Sequence, residues 1–208
     1  MQKKIVLALL MTALLAGGVF AQGFLSAGGG LAISPSFSTG KYDGKELDDA
    51  SVGFDAGLNL FFDAKYVEVN LGLLFGNTKS AKDAGGKGID TTTLTLGLVG
   101  KYPFEFGTKF ALFPFLGIDY SINLGAKSDG EEIKDEGDFK KADYFNALSI
   151  LLGIGFDFGL TDSIYLRLEA GYGIVLNTKV QADLVSKDSK YVFSNGKIPA
   201  KLAIGFRF

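Results

Sequence analysis

Residues 163–176 read SIYLRLEAGYGIVL. Ile164, Leu166, Leu168, Ala170, Tyr172, Ile174 and Leu176 hold the even positions; Tyr165, Arg167, Glu169, Gly171, Gly173 and Val175 hold the odd ones. A strand sends successive side chains to opposite faces, so a period of two gives one apolar face and one mixed face. The stretch before it, ALSILLGIGFDF at 147–158, repeats the arrangement. Leu148, Ile150, Leu152, Ile154, Phe156 and Phe158 oppose Ser149, Gly153, Gly155 and Asp157. The less apolar face is made mostly of small residues, with a few charges in mid-strand. The water-facing side of a soluble barrel would carry many long Lys and Glu side chains. Small residues suit the inside of a narrow eight-stranded barrel, where side chains nearly fill the space. The apolar face is therefore expected to meet lipid, where a Lys or Arg at the midplane would cost ~2–4 kcal/mol.

Outward from this hairpin the same alternation recurs in eight segments, at 24–37, 52–63, 65–76, 91–102, 109–122, 144–158, 163–177 and 197–208. A tilted strand crosses a bilayer in ~9–11 residues, and each segment reaches that length. The connections alternate. The short ones are Asp63-Ala64-Lys65, 103–108 and 159–162; the long, polar ones are 38–51, 77–90, 123–143 and 178–196. Short turns therefore gather at one end and long loops at the other. Phe62, Tyr102, Phe156, Phe158, Phe206 and Phe208 fall near the short-turn end, and Phe37, Phe54, Phe75, Tyr120 and Tyr144 near the long-loop end. Two aromatic belts at strand ends are what a bilayer's two interfaces select.

The first residues set the compartment. Lys3 and Lys4 precede an apolar run from Ile5 to Ala16, and Val19-Phe20-Ala21 follows. This is the pattern of a signal peptide, with cleavage expected after Ala21; the run is short for a spanning anchor. Processing would leave 22–208 as a single domain and shift the formal net charge from −2 to −4. That is not a nucleic-acid-binding balance. The chain has no cysteine and no histidine, so disulfides, thiolate metals and a histidine relay are unavailable. An enzyme is not expected, and neither is a cofactor or metal. Mean hydropathy of +0.24 with an export signal and no later long apolar run fits membrane spanning by strands.

The chain ends KLAIGFRF, with Leu202, Ile204, Phe206 and Phe208 on one face. With the signal peptide, four hairpins and unequal loops, this ending resembles the small eight-stranded outer-membrane β-barrels, the OmpA-, OmpX- and OmpW-type group. The resemblance covers 22–208. It implies an all-β, antiparallel up-and-down transmembrane barrel with short periplasmic turns and long extracellular loops. It also implies that Leu202, Ile204, Phe206 and Phe208 form the strand read by the barrel-assembly machinery. The periplasmic peptidoglycan-binding domain usual in the OmpA type finds no counterpart before Phe208.

Parity assigns Asp55, Glu68, Lys101, Asp119, Asp157, Arg167, Glu169, Lys201 and Arg207 to the interior. Unpaired charges in a narrow lumen are costly, so pairing is expected. Two roles compete, a salt-bridge plug and a charged pore lining. Pro35 lies in the first strand and Pro199 in the last, and these strands pair in a closed barrel. Each removes a ladder donor, so the seam is a candidate lateral gate for a lipid or hydrophobic solute, or simply tolerant of proline. Val180, Ala182 and Leu184 continue the parity of the seventh strand. Tyr191 and Phe193 on odd numbers against Ile198 on even suggest a bulge at Asn195-Gly196. A β-ribbon above the membrane is expected there, with a ten-stranded barrel as the alternative. The 123–143 loop is strongly acidic, and its DGEE and DEGD clusters lack EF-hand spacing. The reading is thus a monomeric outer-membrane barrel in contact with lipid, acting structurally and through loops that meet extracellular ligands. The alternative is a porin-like narrow channel or lateral gate.

Overall fold

The computed structural model describes residues 25–47, 50–80, 88–128, 130–135 and 140–208. The expected signal peptide and its cleavage after Ala21 lie outside the described residues. The strands are β1 (Leu25–Tyr42), β2 (Lys45–Glu46), β3 (Ser51–Ala64), β4 (Val67–Ser80), β5 (Ile89–Lys101), β6 (Phe104–Phe106), β7 (Phe110–Ser128), β8 (Glu131–Glu132), β9 (Ala147–Gly159), β10 (Ile164–Val175), β11 (Tyr191–Lys197) and β12 (Ala200–Arg207). Among the described residues two short helices, α1 (Lys141–Phe145) and α2 (Lys179–Lys187), stand in the third and fourth long loops.

β3, β4, β5, β7, β9, β10 and β12 pair in sequence, all antiparallel, and β1 pairs with both β3 and β12. The sheet therefore closes on itself. β11 and β12 form one stave: opposite β1, Ser36 faces Lys197 above and Ile33 faces Ala200 below, with no change of register between. The ring has eight staves, as the hairpin count predicts, and the ten-stranded alternative falls. β2, β6 and β8 only lengthen hairpins outside the ring.

Alternation is realised as expected. Leu148, Ile150, Leu152, Ile154, Leu168, Tyr172 and Ile174 are exposed on the outer surface, whereas Ser149, Leu151, Asp157, Tyr165, Arg167 and Glu169 are buried inside. The single-residue step between Leu151, 6 % exposed, and Leu152, 64 % exposed, shows how sharply the pleat divides the lumen from the outer surface. At the short-turn end Tyr66 and Tyr102 stack with centroids 5.9 Å apart, Tyr102 meets Phe104 at 5.2 Å, and Phe110 meets Phe158 at 5.0 Å. Phe37 and Tyr172 meet at 6.3 Å toward the other end.

The interior holds more than small residues and charges. Phe61, Phe113, Phe115 and Tyr165 are buried there, and each lies across a glycine of a neighbouring stave. A Cβ on Gly155 would collide with the Phe113 ring, and one on Gly205 with the Tyr165 ring. Glycine is needed at these two positions because the ring occupies the space a side chain would take.

Three expectations are corrected. Residues 179–187 form helix α2 and do not extend the seventh strand. Thr178 and Gln181 make a reciprocal capping box at its start. Val180, Gln181, Leu184 and Val185 are the half-buried positions, a spacing of helical period, while Ala182 is exposed. No bulge occurs at Asn195-Gly196. Lys197 and Lys201 both face inward and the odd parity runs unbroken through β11 and β12. Among the described pairings the register shift falls between Thr92 and Thr93, where the partner steps from Gly125 to Asn123 and leaves Leu124 over. Finally, strand pairing reaches further than the segment boundaries: β1 continues to Tyr42, β7 to Ser128, and β3 takes in Ala64.

Candidate functional site

The interior charges gather into a section at the short-turn half. Arg167 enters from β10 and is 2 % exposed. Its Nε and Nη2 donate to the two carboxylate oxygens of Asp157, each at 2.7 Å, from the directly opposite position on β9. Nη2 also donates to Asp63 at 2.7 Å, and Nη1 donates to Glu68. Glu68 lies on β4, the stave diametrically across the ring from β10, so a single guanidinium ties the two walls together. Its plane lies 4.6 Å from the Phe61 ring centroid and 5.1 Å from those of Phe113 and Tyr165. Planar, permanently charged and weakly hydrated, arginine suits this site where lysine would satisfy fewer partners.

Asp63 and Glu68 are directly paired across β3 and β4. Like charges so placed repel. Two cations bridge them: Arg167 contacts both, and Lys101 Nζ lies 2.5 Å from Asp63 and 3.2 Å from Glu68. One level up, Lys201 pairs with Glu169 at 2.9 Å, directly opposite on β10, and donates to Asn70 at 2.9 Å. Asn70 in turn donates to Glu68 at 2.7 Å. The section thus carries Asp63, Glu68, Asp157 and Glu169 against Lys101, Arg167 and Lys201, all linked.

Of the residues that parity places inside, Glu68, Lys101, Asp157, Arg167, Glu169 and Lys201 are brought together here. Asp119 lies nearer the loops, where Lys197 reaches it at 2.7 Å across the lumen. Asp55 is half-buried and apart from the section, and Arg207 stands over Tyr165 at the short-turn mouth. Sequence reasoning missed Asp63 and Lys197. Asp63 is assigned to a turn although it shares the parity of Asp55 and Asn59; Lys197 shares the parity of Lys201 and marks only a segment's first residue. Both lie inside the alternating segments at 52–63 and 197–208, so reading each alternation through to its end residue finds both.

At the seam, Ile198 N–H donates to the Pro35 carbonyl at 2.8 Å, and Gly171 N–H donates to the Pro199 carbonyl at 3.0 Å. In an antiparallel ladder a residue's N–H and C=O point to the same neighbour. Each proline therefore accepts from a partner to which it cannot donate in return. The wall around 198–199 loses one bond toward β1 and one toward β10, yet its register is intact. Outside, an apolar hollow lined by Leu31, Leu168, Ala170, Ala200 and Leu202 begins next to this weak point. Leu202, Ile204, Phe206 and Phe208 of the final stave all face outward.

At the loop end α1 and α2 are pinned by Lys179 and Asp143 at 2.9 Å, and Asn195 donates to Gln181 at 3.0 Å. Tyr42 meets Tyr191 in a tilted contact with centroids 4.7 Å apart and donates to Asp188 at 3.1 Å; that hydrogen bond raises the phenol's pKa above its ordinary value. The loop end is thus an ordered surface made by β1, β11 and α2.

A family model for the outer membrane protein beta-barrel domain matches residues 6–194. Among solved structures, Neisserial surface protein A is 11 % identical, with TM-score 0.46, over 88 % of this chain and 99 % of that one. OprG from Pseudomonas aeruginosa is 17 % identical, with TM-score 0.47, over 89 % and 96 %. Ail of Yersinia pestis, in complex with the heparin analogue sucrose octasulfate, is 18 % identical, with TM-score 0.34, over 88 % and 99 %. A comparison with curated proteins finds no match.

Proposed function

The chain belongs to the outer membrane protein beta-barrel domain family, and on that premise we propose that it is a non-conducting barrel of the Gram-negative outer membrane that works through the loops it holds outside the cell. The observation that carries this is the linked section around Arg167. Its side chains reach from β10 to the opposite wall, and Phe61, Phe113 and Tyr165 fill the space around them. An ion passing this level would have to displace a guanidinium held by three carboxylates. The Lys197–Asp119 pair adds a second barrier nearer the loops. The ordered platform of β1, β11 and α2 offers the outer surface for contact with extracellular ligands.

Export by cleavage after Ala21, assembly through the outward-facing Leu202, Ile204, Phe206 and Phe208, and a monomer surrounded by lipid complete this reading. Chemistry on a substrate is not part of it, since the sequence has no histidine to serve as a general base. Planar-bilayer recording tests it. Purified barrel should give no steady single-channel steps; reproducible steps of one size would refute the plug. A second reading, lateral passage of a hydrophobic solute, is favoured by one observation: the outer apolar hollow borders the two half-satisfied proline pairs, its lining reaching Ile33, Ala170 and Ala200 beside them.

A further inference from the structure

The short-turn mouth holds a cavity of about 410 Å³ that ends blindly on the Arg167 section. Its floor is Arg167 and Asp157, its walls include Phe110, Phe113 and Tyr165, and Lys109 and Arg207 stand at its rim. Eight charged residues line it, Lys65, Lys101, Lys109, Arg167 and Arg207 against Asp63, Glu105 and Asp157, and with Glu68 behind them holding Arg167 and Lys101 the excess is one positive charge. That sign is opposite to the chain's formal net charge of −2. The deeper cations are spent: Arg167 and Lys101 are held by Asp63, Glu68 and Asp157, and Lys65 lies 3.6 Å from Glu105. Lys109 and Arg207 have no carboxylate partner among the described residues. Arg207 is nevertheless fixed. Its guanidinium lies 4.8 Å over the Tyr165 ring, and the Tyr165 hydroxyl shares a 2.7 Å hydrogen bond with Ser26.

We propose that this vestibule binds a small anion bearing carboxylate or phosphate groups, presented from the periplasmic side. Arginine offers a planar fork of donors that matches either group, and lysine adds a mobile point charge. A half-enclosed site with aromatic walls strengthens both interactions relative to open water. The blind floor makes the vestibule a place of retention and not the entrance to a pore.

The test uses the folded barrel in phosphatidylcholine nanodiscs, titrated calorimetrically at low ionic strength with succinate and with inorganic phosphate. Saturable one-site binding is expected, weakened at least about tenfold in the Arg207→Gln, Lys109→Gln double variant. Heat-modifiable gel migration should be the same for both proteins, which separates lost binding from lost folding. A second arm adds phosphatidylglycerol to the discs. A clear fall in apparent succinate affinity assigns the anion to a lipid headgroup; unchanged affinity assigns it to a soluble molecule; either supports the site. No saturable binding, or equal binding by the wild type and a folded double variant, would overturn it.

Discussion

Arg167 shows what one residue contributes to this interior. Burying a guanidinium and its carboxylates forfeits a large hydration energy, which the pairs regain only if every donor is met. Here Nε, Nη1 and Nη2 all donate to carboxylates, and three aromatic rings pack around the group. Removing it strands Asp157 and leaves Asp63 and Glu68 to Lys101, with Lys201 3.9 Å from Glu68. Arg167→Gln should therefore lower stability by about 3–5 kcal/mol, read as a shift in urea unfolding of the barrel in lipid vesicles. Arg167→Lys should fall between the two, since it keeps the charge and loses the fork. A variant as stable as the wild type would show that the network is incidental.

Among the elements, the final stave has a built-in weakness at its seam with β1. β11 and β12 hold a single register against β1, yet Pro199 and Pro35 leave two ladder positions half-made at 198–199. Pro199→Ala restores an N–H that points at β10 beside Gly171. The net value of one such bond is about 0.5–1.5 kcal/mol, so the variant should be more stable by up to that amount and its Gly171 amide should exchange more slowly. If a hydrophobic solute passes through this wall, uptake into vesicles should fall in the same variant. Unchanged exchange at Gly171 would mean that the neighbouring bonds already hold the seam closed. Helix α2 carries a related lesson. Val180, Ala182 and Leu184 fit a strand's parity, but a capping box at Thr178 and Gln181 and a helical stripe at 180, 181, 184 and 185 prevail. Here local hydrogen bonding decides over strand parity.

At the scale of the molecule, the barrel is a wall with two solvents. Outward Leu152 and inward Leu151 differ by one position and by the whole environment. Leu152 lies in the middle of β9, paired with Tyr172 and Leu116, so Leu152→Arg should cost about 2–4 kcal/mol in a bilayer. The readout is a lower temperature for loss of heat-modifiable migration. An unaffected transition would put this face in water and undo the assignment of inside and outside. Barrel closure also explains why the lumen is so heavily paired. Eight staves bring opposite walls within reach of one long side chain, so Arg167 and Lys197 act as crossbeams.

The sequence by itself determined the barrel, its eight staves, which face meets lipid, and six of the seven charged members of the central section, because a period of two projects directly onto inside and outside. It left Asp63 in a turn, since a segment's end is where alternation offers the fewest residues to read. Only the tertiary structure decided which charges meet. Partners such as Arg167 and Glu68 are 99 positions apart, and their contact depends on ring closure and stagger, which no local pattern encodes. The same closure set the aromatic rings over their glycines and gave the short-turn mouth a positive charge that the acidic chain as a whole does not suggest, whereas helix α2 follows from a local capping box.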